Sequence, residues 1–79
     1  MPEFEAILEL DDSPRWDDFL IVTLVDRGYG QFDQKFALTE DCEEWCRENL
    51  IHHWDLTWHP YMRFTSSEDA IRFKLRWWS

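Results

Sequence analysis

The sequence predicts a small α+β domain, in which an antiparallel sheet of about four to five strands carries two helices packed on one face. Three observations support this fold class. Apolar and acidic residues alternate in "PEFEAILEL", which is the period of a half-buried strand. Two glycines in "RGYG" separate two further strand-like runs, as in a hairpin. Apolar residues recur at helical spacing in "TEDCEEWCRENL" after a residue that can cap a helix.

The first half of the chain is predicted to form strands. The run "DDSPR" predicts a turn, and "WDDFLIVTLVD" then places β-branched and aromatic residues on both faces, as a central strand does. A helix beginning at Pro14 is the alternative, because proline is favoured in a first helical turn. After "RGYG", Phe32, Phe36 and Leu38 share one face of "QFDQKFAL", which predicts the returning arm of the hairpin.

The clearest helix is predicted to follow this hairpin. Thr39 or Asp41 can cap it, and acidic residues crowd its first turn, where the helix dipole favours them. Its spacing predicts a buried stripe that consists of Cys42, Trp45, Cys46 and Leu50. The next strand is predicted in "HHWDLTW", with one face that consists of His52, Trp54, Leu56 and Trp58.

The last strand is predicted in "YMRFT", and residues 70–78 then fit two structures. Ser66 or Ser67 can cap a helix, with acidic residues behind the cap. The strict alternation of "IRFKLRW" is instead the period of a strand. The cap chemistry and the alanine favour the helix.

Seventy-nine residues allow a single domain, which we assign to residues 1–79. Six Trp, six Phe and two Tyr make 18% of the chain aromatic. That aromatic content supplies a core without disulfides or a metal. Dimerisation is another way to bury aromatic surface in a chain of this size.

The charge is unevenly distributed. Residues 1–55 contain fifteen Asp and Glu against four Lys and Arg, net -11, and residues 56–79 contain two against four, net +2; together these give the formal net charge of -9. An acidic body repels nucleic acid and favours basic partners, and it also keeps a tryptophan-rich chain in solution. The acidic N-terminus and the short apolar runs match neither a secretion signal nor a membrane span. We therefore expect a cytoplasmic protein with reduced cysteines.

No enzyme activity, cofactor or metal site is predicted. Cys42 and Cys46 are four residues apart in a helix, and His52 and His53 are adjacent, so the spacing matches none of the usual zinc sites. Neither cysteine has the surroundings that clearly lower the pKa of a thiol. Acidic residues in turns usually lie in water, where nothing separates the pKa values of a catalytic pair. The sequence contains no phosphate-binding loop and no nucleophile elbow.

Most of the tryptophans are expected in the core. Trp77 and Trp78 are adjacent and cannot both point fully inward, so one of them is a candidate dimer or partner contact. The basic residues before them, Arg72, Lys74 and Arg76, are expected to act as counter-charges for the acidic body, within the chain or in a second copy.

Rows of carboxylates are the feature that indicates a function. Residues i and i+2 of a strand point to the same face and are about 6.6–6.8 Å apart. This distance is comparable to the spacing of phosphates along a DNA strand. Such a row can therefore occupy a basic channel built for nucleic acid. The candidate partner-binding acids are Glu3, Glu5, Glu9, Asp11, Asp12, Asp17, Asp18, Glu40, Glu43, Glu44 and Glu48.

The C-terminal stretch "SSEDAIRFKLRWW" resembles the ending of short phage proteins whose tails read D-A-x-x-F-K-L-R-W. The matching residues are Asp69, Ala70, Phe73, Lys74, Leu75, Arg76 and Trp77. This resemblance implies a phage or prophage origin and a compact α+β fold, with no defined active site. In size, acidity and tryptophan content the chain is also similar to anti-CRISPR proteins, some of which occupy the DNA-binding surface of a CRISPR effector.

Two functions are expected from these observations. The first is an inhibitor in the cytoplasm of a bacterial host. It binds a basic nucleic-acid-binding protein or CRISPR effector complex as a DNA mimic, and contacts neither nucleic acid nor membrane directly. The alternative is a small homodimeric phage structural or adaptor protein that associates through aromatic surface.

Overall fold

A computed structural model of the chain describes residues 3–57 and 59–78, which form an α+β structure. A 3₁₀ turn at Leu10–Asp12 follows the first strand, and a π-helical turn at Lys74–Trp78 follows the last helix. None of the helices in these two ranges has the length and apolar character that a membrane span needs. The strands and helices are β1 (Ala6–Glu9), α1 (Trp16–Phe19), β2 (Leu20–Gly28), β3 (Gln31–Leu38), α2 (Glu40–Asn49), β4 (Trp54–Leu56), β5 (Tyr61–Phe64) and α3 (Ser67–Phe73).

The strands of the described residues form two antiparallel sheets. In the first sheet β5 lies between β1 and β4, so that Met62 of β5 pairs with Leu8 on one side and with Leu56 on the other. In the second sheet β2 and β3 pair with each other. The α+β class is confirmed. The expectation of a single sheet of about four to five strands is wrong, because the hairpin does not extend the other three strands.

An aromatic cluster forms the centre of the core. The ring centroid of Phe73 lies 5.5 Å from that of Phe19, 6.0 Å from that of Phe64 and 6.4 Å from that of Trp45. Such tilted and edge-on contacts stabilise aromatic pairs beyond the area that they bury. The cluster therefore joins α1, α2, α3 and the three-stranded sheet.

The predicted helix α2 is confirmed. The hydroxyl of Thr39 caps it by accepting a hydrogen bond from the backbone N–H of Cys42 at 3.3 Å. Acidic residues occupy its first turn and Arg47 its last, as the helix dipole favours. Cys42 and Cys46 are fully buried, and Leu50 follows the helix as a buried residue.

The segment predicted as one central strand divides into a short helix and an exposed strand. The alternative helix after Pro14 is present as Trp16–Phe19, and the strand begins at Leu20. Beyond Leu20 every residue of β2 is exposed. The prediction of a central strand is therefore wrong, since a central strand is covered on both faces.

The hairpin turn lies where "RGYG" predicts it. Gly28 and Gly30 have φ angles of 88° and 74°, which glycine adopts without steric cost. On the returning strand Phe32, Phe36 and Leu38 lie at alternate positions and therefore share a face, as predicted.

The end of the chain is helical. α3 and the π-helical turn confirm the helix expected for residues 70–78. Ser66 is the residue at the N-cap position, but its side chain makes no cap hydrogen bond among the described residues. The strand before β5 is shorter than predicted: His52 precedes it, and Trp58 lies outside the described residues.

Candidate acidic binding surface

One groove collects carboxylates from two helices. Asp18 of α1 and Asp41, Glu44 and Glu48 of α2 line this acidic groove, whose volume is about 350 Å³. The three residues of α2 follow one another at spacings of three and four, so they lie on one face of the helix. All four side chains are exposed, and Asp18 also pairs with Arg15 at 2.9 Å. The groove therefore presents a concentrated negative charge to the solvent.

Two tryptophans and one cation complete the acidic groove. Trp45, Arg76 and Trp77 line it together with the carboxylates. The Trp77 side chain is 6% exposed, and its ring lies edge-on to Trp45 at a centroid distance of 6.1 Å. The guanidinium of Arg76 lies 4.1 Å from the Trp77 ring centroid, which is a cation–π contact. The groove thus already accommodates one guanidinium of this chain.

A second group of carboxylates lies where β1 ends. Glu9, Asp11 and Asp12 each place a carboxylate oxygen within 4.8 Å of the others. Loss of solvent, followed by the charges of Asp12 and Asp11, raises the pKa of Glu9. The three carboxylates therefore repel one another, and a basic partner would reduce this repulsion.

The other predicted acids join neither group. Glu5 accepts hydrogen bonds from the backbone N–H and the hydroxyl of Ser67, at 3.2 and 3.3 Å, so it supplies the cap of α3 that Ser66 does not. Glu43 lies beside Phe36 in a different depression from the acidic groove. The remaining acids are exposed outside both groups: Glu3, Asp17 and Glu40.

Asp41 is the groove carboxylate that sequence reasoning missed. In the sequence it is a candidate cap of α2, whereas the structure gives that role to Thr39. Its spacing from Glu44 and Glu48 is the signal that could have identified it, because residues at i, i+3 and i+7 share a helical face.

The cysteines are core residues. A hydrogen bond with Cys46, reinforced by burial, raises the pKa of the Cys42 thiol, so neither nucleophilic attack nor metal binding is favoured at neutral pH. Within residues 3–57 and 59–78 the cysteines and histidines do not assemble into a group that could hold a metal ion. Trp77 is a core residue as well. Trp78 is half-buried, with the Lys74 ammonium 5.4 Å from its ring centroid, so it is the member of the doublet with more of its side chain exposed to solvent.

Comparison with protein families, with curated proteins and with solved structures gives no match to this chain. The acidic groove is the strongest candidate functional site of the described residues, since it combines four carboxylates with two tryptophans.

Proposed function

We propose that this chain is an inhibitor of the anti-CRISPR type. In the cytoplasm of a bacterial host it would bind a basic, nucleic-acid-binding surface of a defence complex through the acidic groove. The observation that supports the proposal is the convergence of Asp18, Asp41, Glu44 and Glu48 on one groove. The group formed by Glu9, Asp11 and Asp12 adds a second negative point of contact.

The chemistry of carboxylates explains how such a groove would replace nucleic acid. Arginine and lysine bind carboxylate and phosphate oxygens with the same donors, and a guanidinium can bind either in a bidentate manner. Along the axis of α2, the backbone of Glu44 lies about 4.5 Å beyond that of Asp41, and the backbone of Glu48 lies about 6 Å beyond that of Glu44. A row of basic side chains that contacts successive phosphates can therefore contact successive carboxylates here.

The position of Arg76 supports an arginine-rich partner. Its guanidinium stacks on Trp77 in the same groove as the four carboxylates. A partner arginine that displaced Arg76 would find the same combination of an aromatic face and flanking anions, and such contacts strengthen when they are desolvated.

The net charge of the chain supports rapid association with a basic surface. A formal charge of -9 on 79 residues produces a long-range field that steers cationic partners. Salt screens this field over about 10 Å at 0.1 M ionic strength. Binding should therefore weaken steeply as salt is added.

A competition assay tests the proposal. A panel of purified CRISPR effector complexes is mixed with fluorescent duplex target DNA, and this protein is titrated while fluorescence anisotropy reports bound DNA. We expect displacement of the DNA by the wild-type chain at low salt. Failure to displace DNA from any complex in the panel would contradict the proposal.

A matched pair of variants separates the groove from net charge. Asp41→Asn, Glu44→Gln and Glu48→Gln together remove three charges from the groove, and we expect about a tenfold loss in competition. Glu3→Gln, Glu40→Gln and Glu68→Gln remove three charges elsewhere and should cost much less. Equal losses in both variants, with far-UV circular dichroism unchanged, would show that only total charge matters.

A homodimeric phage structural or adaptor protein remains the second candidate function, because the β2–β3 hairpin exposes a large apolar surface. Leu24 is 64% and Phe32 59% exposed. In that function, neutralising the acidic groove would leave self-association unchanged.

A further inference from the structure

The β2–β3 hairpin is apolar on both of its faces. Successive residues of a strand point to opposite sides, so Ile21 and Val25 lie on one face, and Val22 and Leu24 on the other. All four are exposed, as is Phe32 on the neighbouring strand. An isolated two-stranded hairpin is only marginally stable in water. This arrangement indicates that the hairpin would gain stability from pairing with a further strand.

The free edge of β2 lacks the features that protect edge strands. Neither edge of the hairpin pairs with another strand of the described residues. Natural edge strands are usually interrupted by charges, proline or bulges, but residues 21–25 contain no charge and no proline. The register becomes irregular only between Asp26 and Gly28. Five consecutive residues are therefore available for pairing with a strand from outside the chain.

The sequence of this edge is complementary to itself. In an antiparallel pair of β2 strands with a two-fold axis at Thr23, Ile21 lies opposite Val25 of the partner subunit and Val22 lies opposite Leu24 of the partner subunit. Thr23 lies opposite its own copy, and threonine pairs are favourable across strands. A two-fold interface requires this kind of self-complementarity.

Local charge also favours a second copy. Asp26, Arg27, Asp33 and Lys35 are the charged residues of the hairpin, and they sum to zero. Arg27 and Asp33 are already paired at 3.2 Å. Two hairpins can therefore approach each other without the repulsion that the chain's charge of -9 would otherwise cause.

Pairing of the two β2 edges would bury a small interface. It would bring together the exposed side chains of Ile21, Val22, Leu24 and Val25, two on each face of the sheet, whereas Phe32 lies on β3, away from the paired edge. A standard interface buries about 800 Å² per partner. Edge pairing and these side-chain contacts together would therefore give a dimer that forms as the protein concentration rises.

We propose that two copies of this chain associate through their β2 strands and form a four-stranded antiparallel sheet with the two-fold axis at Thr23. This interface involves none of the residues of the acidic groove, so it does not depend on the proposed inhibitor function. A dimer of this kind would present two acidic grooves and would bind a repeated basic surface with increased avidity.

Sedimentation velocity over a wide concentration range tests the proposal. We expect the wild-type chain to shift from monomer to dimer. Thr23→Lys and Thr23→Glu should each raise the dimer dissociation constant about tenfold or more, because like charges meet at the axis. An equimolar mixture of the two variants should recover association. Tyr29→Lys at the hairpin tip is the control and should leave association unchanged.

Cysteine cross-linking gives an independent readout. Thr23→Cys should form an intermolecular disulfide under mild oxidation, whereas Gln34→Cys on the edge strand β3 should not. The native thiols of Cys42 and Cys46 are buried and should not contribute. A wild-type chain that stays monomeric at every concentration, or equal cross-linking at both positions, would overturn the proposal.

Discussion

Asp69 of α3 accepts a hydrogen bond of 2.8 Å from the backbone N–H of His52, which precedes β4. The Asp69 side chain is 1% exposed. It also accepts from the backbone N–H of Ile51 at 3.5 Å and from the guanidinium of Arg72 at 2.9 Å. One buried carboxylate thus joins the connection after α2 to the C-terminal helix.

Replacing this carboxylate should destabilise the fold. Asp69→Asn removes the charge and leaves one acceptor oxygen in place of two. Some of the N–H groups that donate to Asp69 then lose their hydrogen-bond acceptor. We expect the free energy of unfolding at pH 7 to fall by about 2–3 kcal/mol, measured by urea denaturation. The exposed neighbour Glu68 provides the control, and Glu68→Gln should change stability by less than about 0.5 kcal/mol. Similar effects of both substitutions would contradict this role of Asp69.

The same carboxylate should make stability fall at acidic pH. Burial opposes its ionisation, but the hydrogen bonds from His52, Ile51 and Arg72 outweigh burial and hold the pKa of Asp69 below its usual value. The unfolded chain therefore binds this proton more readily than the folded chain does. The stabilisation is fully present above the unfolded pKa of about 3.9 and is lost as the pH falls through the lower folded pKa.

The pH profile of Asp69→Asn tests this assignment. Unfolding free energies of the wild-type chain and the variant, measured from pH 7 down to pH 2, should converge on the acidic side. Some slope should remain in the variant, because the hydrogen bond with Arg63 also lowers the pKa of Asp55. Parallel profiles would show that Asp69 does not contribute to the acid dependence.

Local signals in the sequence were sufficient for several elements. Thr39 and the apolar stripe correctly predicted α2, and the two glycines correctly predicted the hairpin turn. Each of these signals acts within a few residues, through a cap, a left-handed backbone or a helical face. Such features depend little on the rest of the fold. By contrast, the C-terminal helix was predicted from a serine cap that the described residues do not form.

Features that depend on distant residues were not predictable. The apolar residues on both faces of β2 indicated burial, but the pattern does not say what covers them, and the structure leaves them exposed. Glu5 belongs to an alternating row that predicts solvent exposure, yet it caps a helix 62 residues later in the chain. Asp41 was missed because its position in the first turn of α2 indicated a capping role. Tertiary placement decides the role of all three.

The aromatic core should be sensitive to loss of Phe73. Its ring contacts Phe19, Trp45 and Phe64. Phe73→Ala therefore leaves a cavity between several elements that the surrounding side chains cannot fill. We expect a loss of about 3–5 kcal/mol, which is a large part of the about 4–12 kcal/mol available to a domain of this size. Thermal and urea unfolding measure the effect. The exposed Phe32→Ala, studied at a concentration where the chain is monomeric, should cost much less.

Removing the groove's own cation should strengthen binding to a basic partner. Arg76 lines the acidic groove together with the carboxylates, and under the proposed function it would compete with a cation of the partner. Arg76→Gln should improve displacement of DNA in the competition assay, whereas Arg47→Gln, which changes net charge equally outside the groove, should have a smaller effect. Arg76→Lys keeps the charge and should resemble the wild type. A weaker competitor after Arg76→Gln would argue against the groove as the binding surface.

The native thiols should react only when the fold opens. Cys42 and Cys46 are fully buried, and the hydrogen bond between them, with burial, raises the pKa of Cys42. We expect a thiol reagent to modify both at rates set by the population of the open state, while a Tyr29→Cys variant reacts at once at its exposed turn. Because Asp69→Asn should raise the open population by about 30–160-fold, it should accelerate modification of the buried thiols by a similar factor. Rapid modification in the wild-type chain would show that α2 is not packed as described.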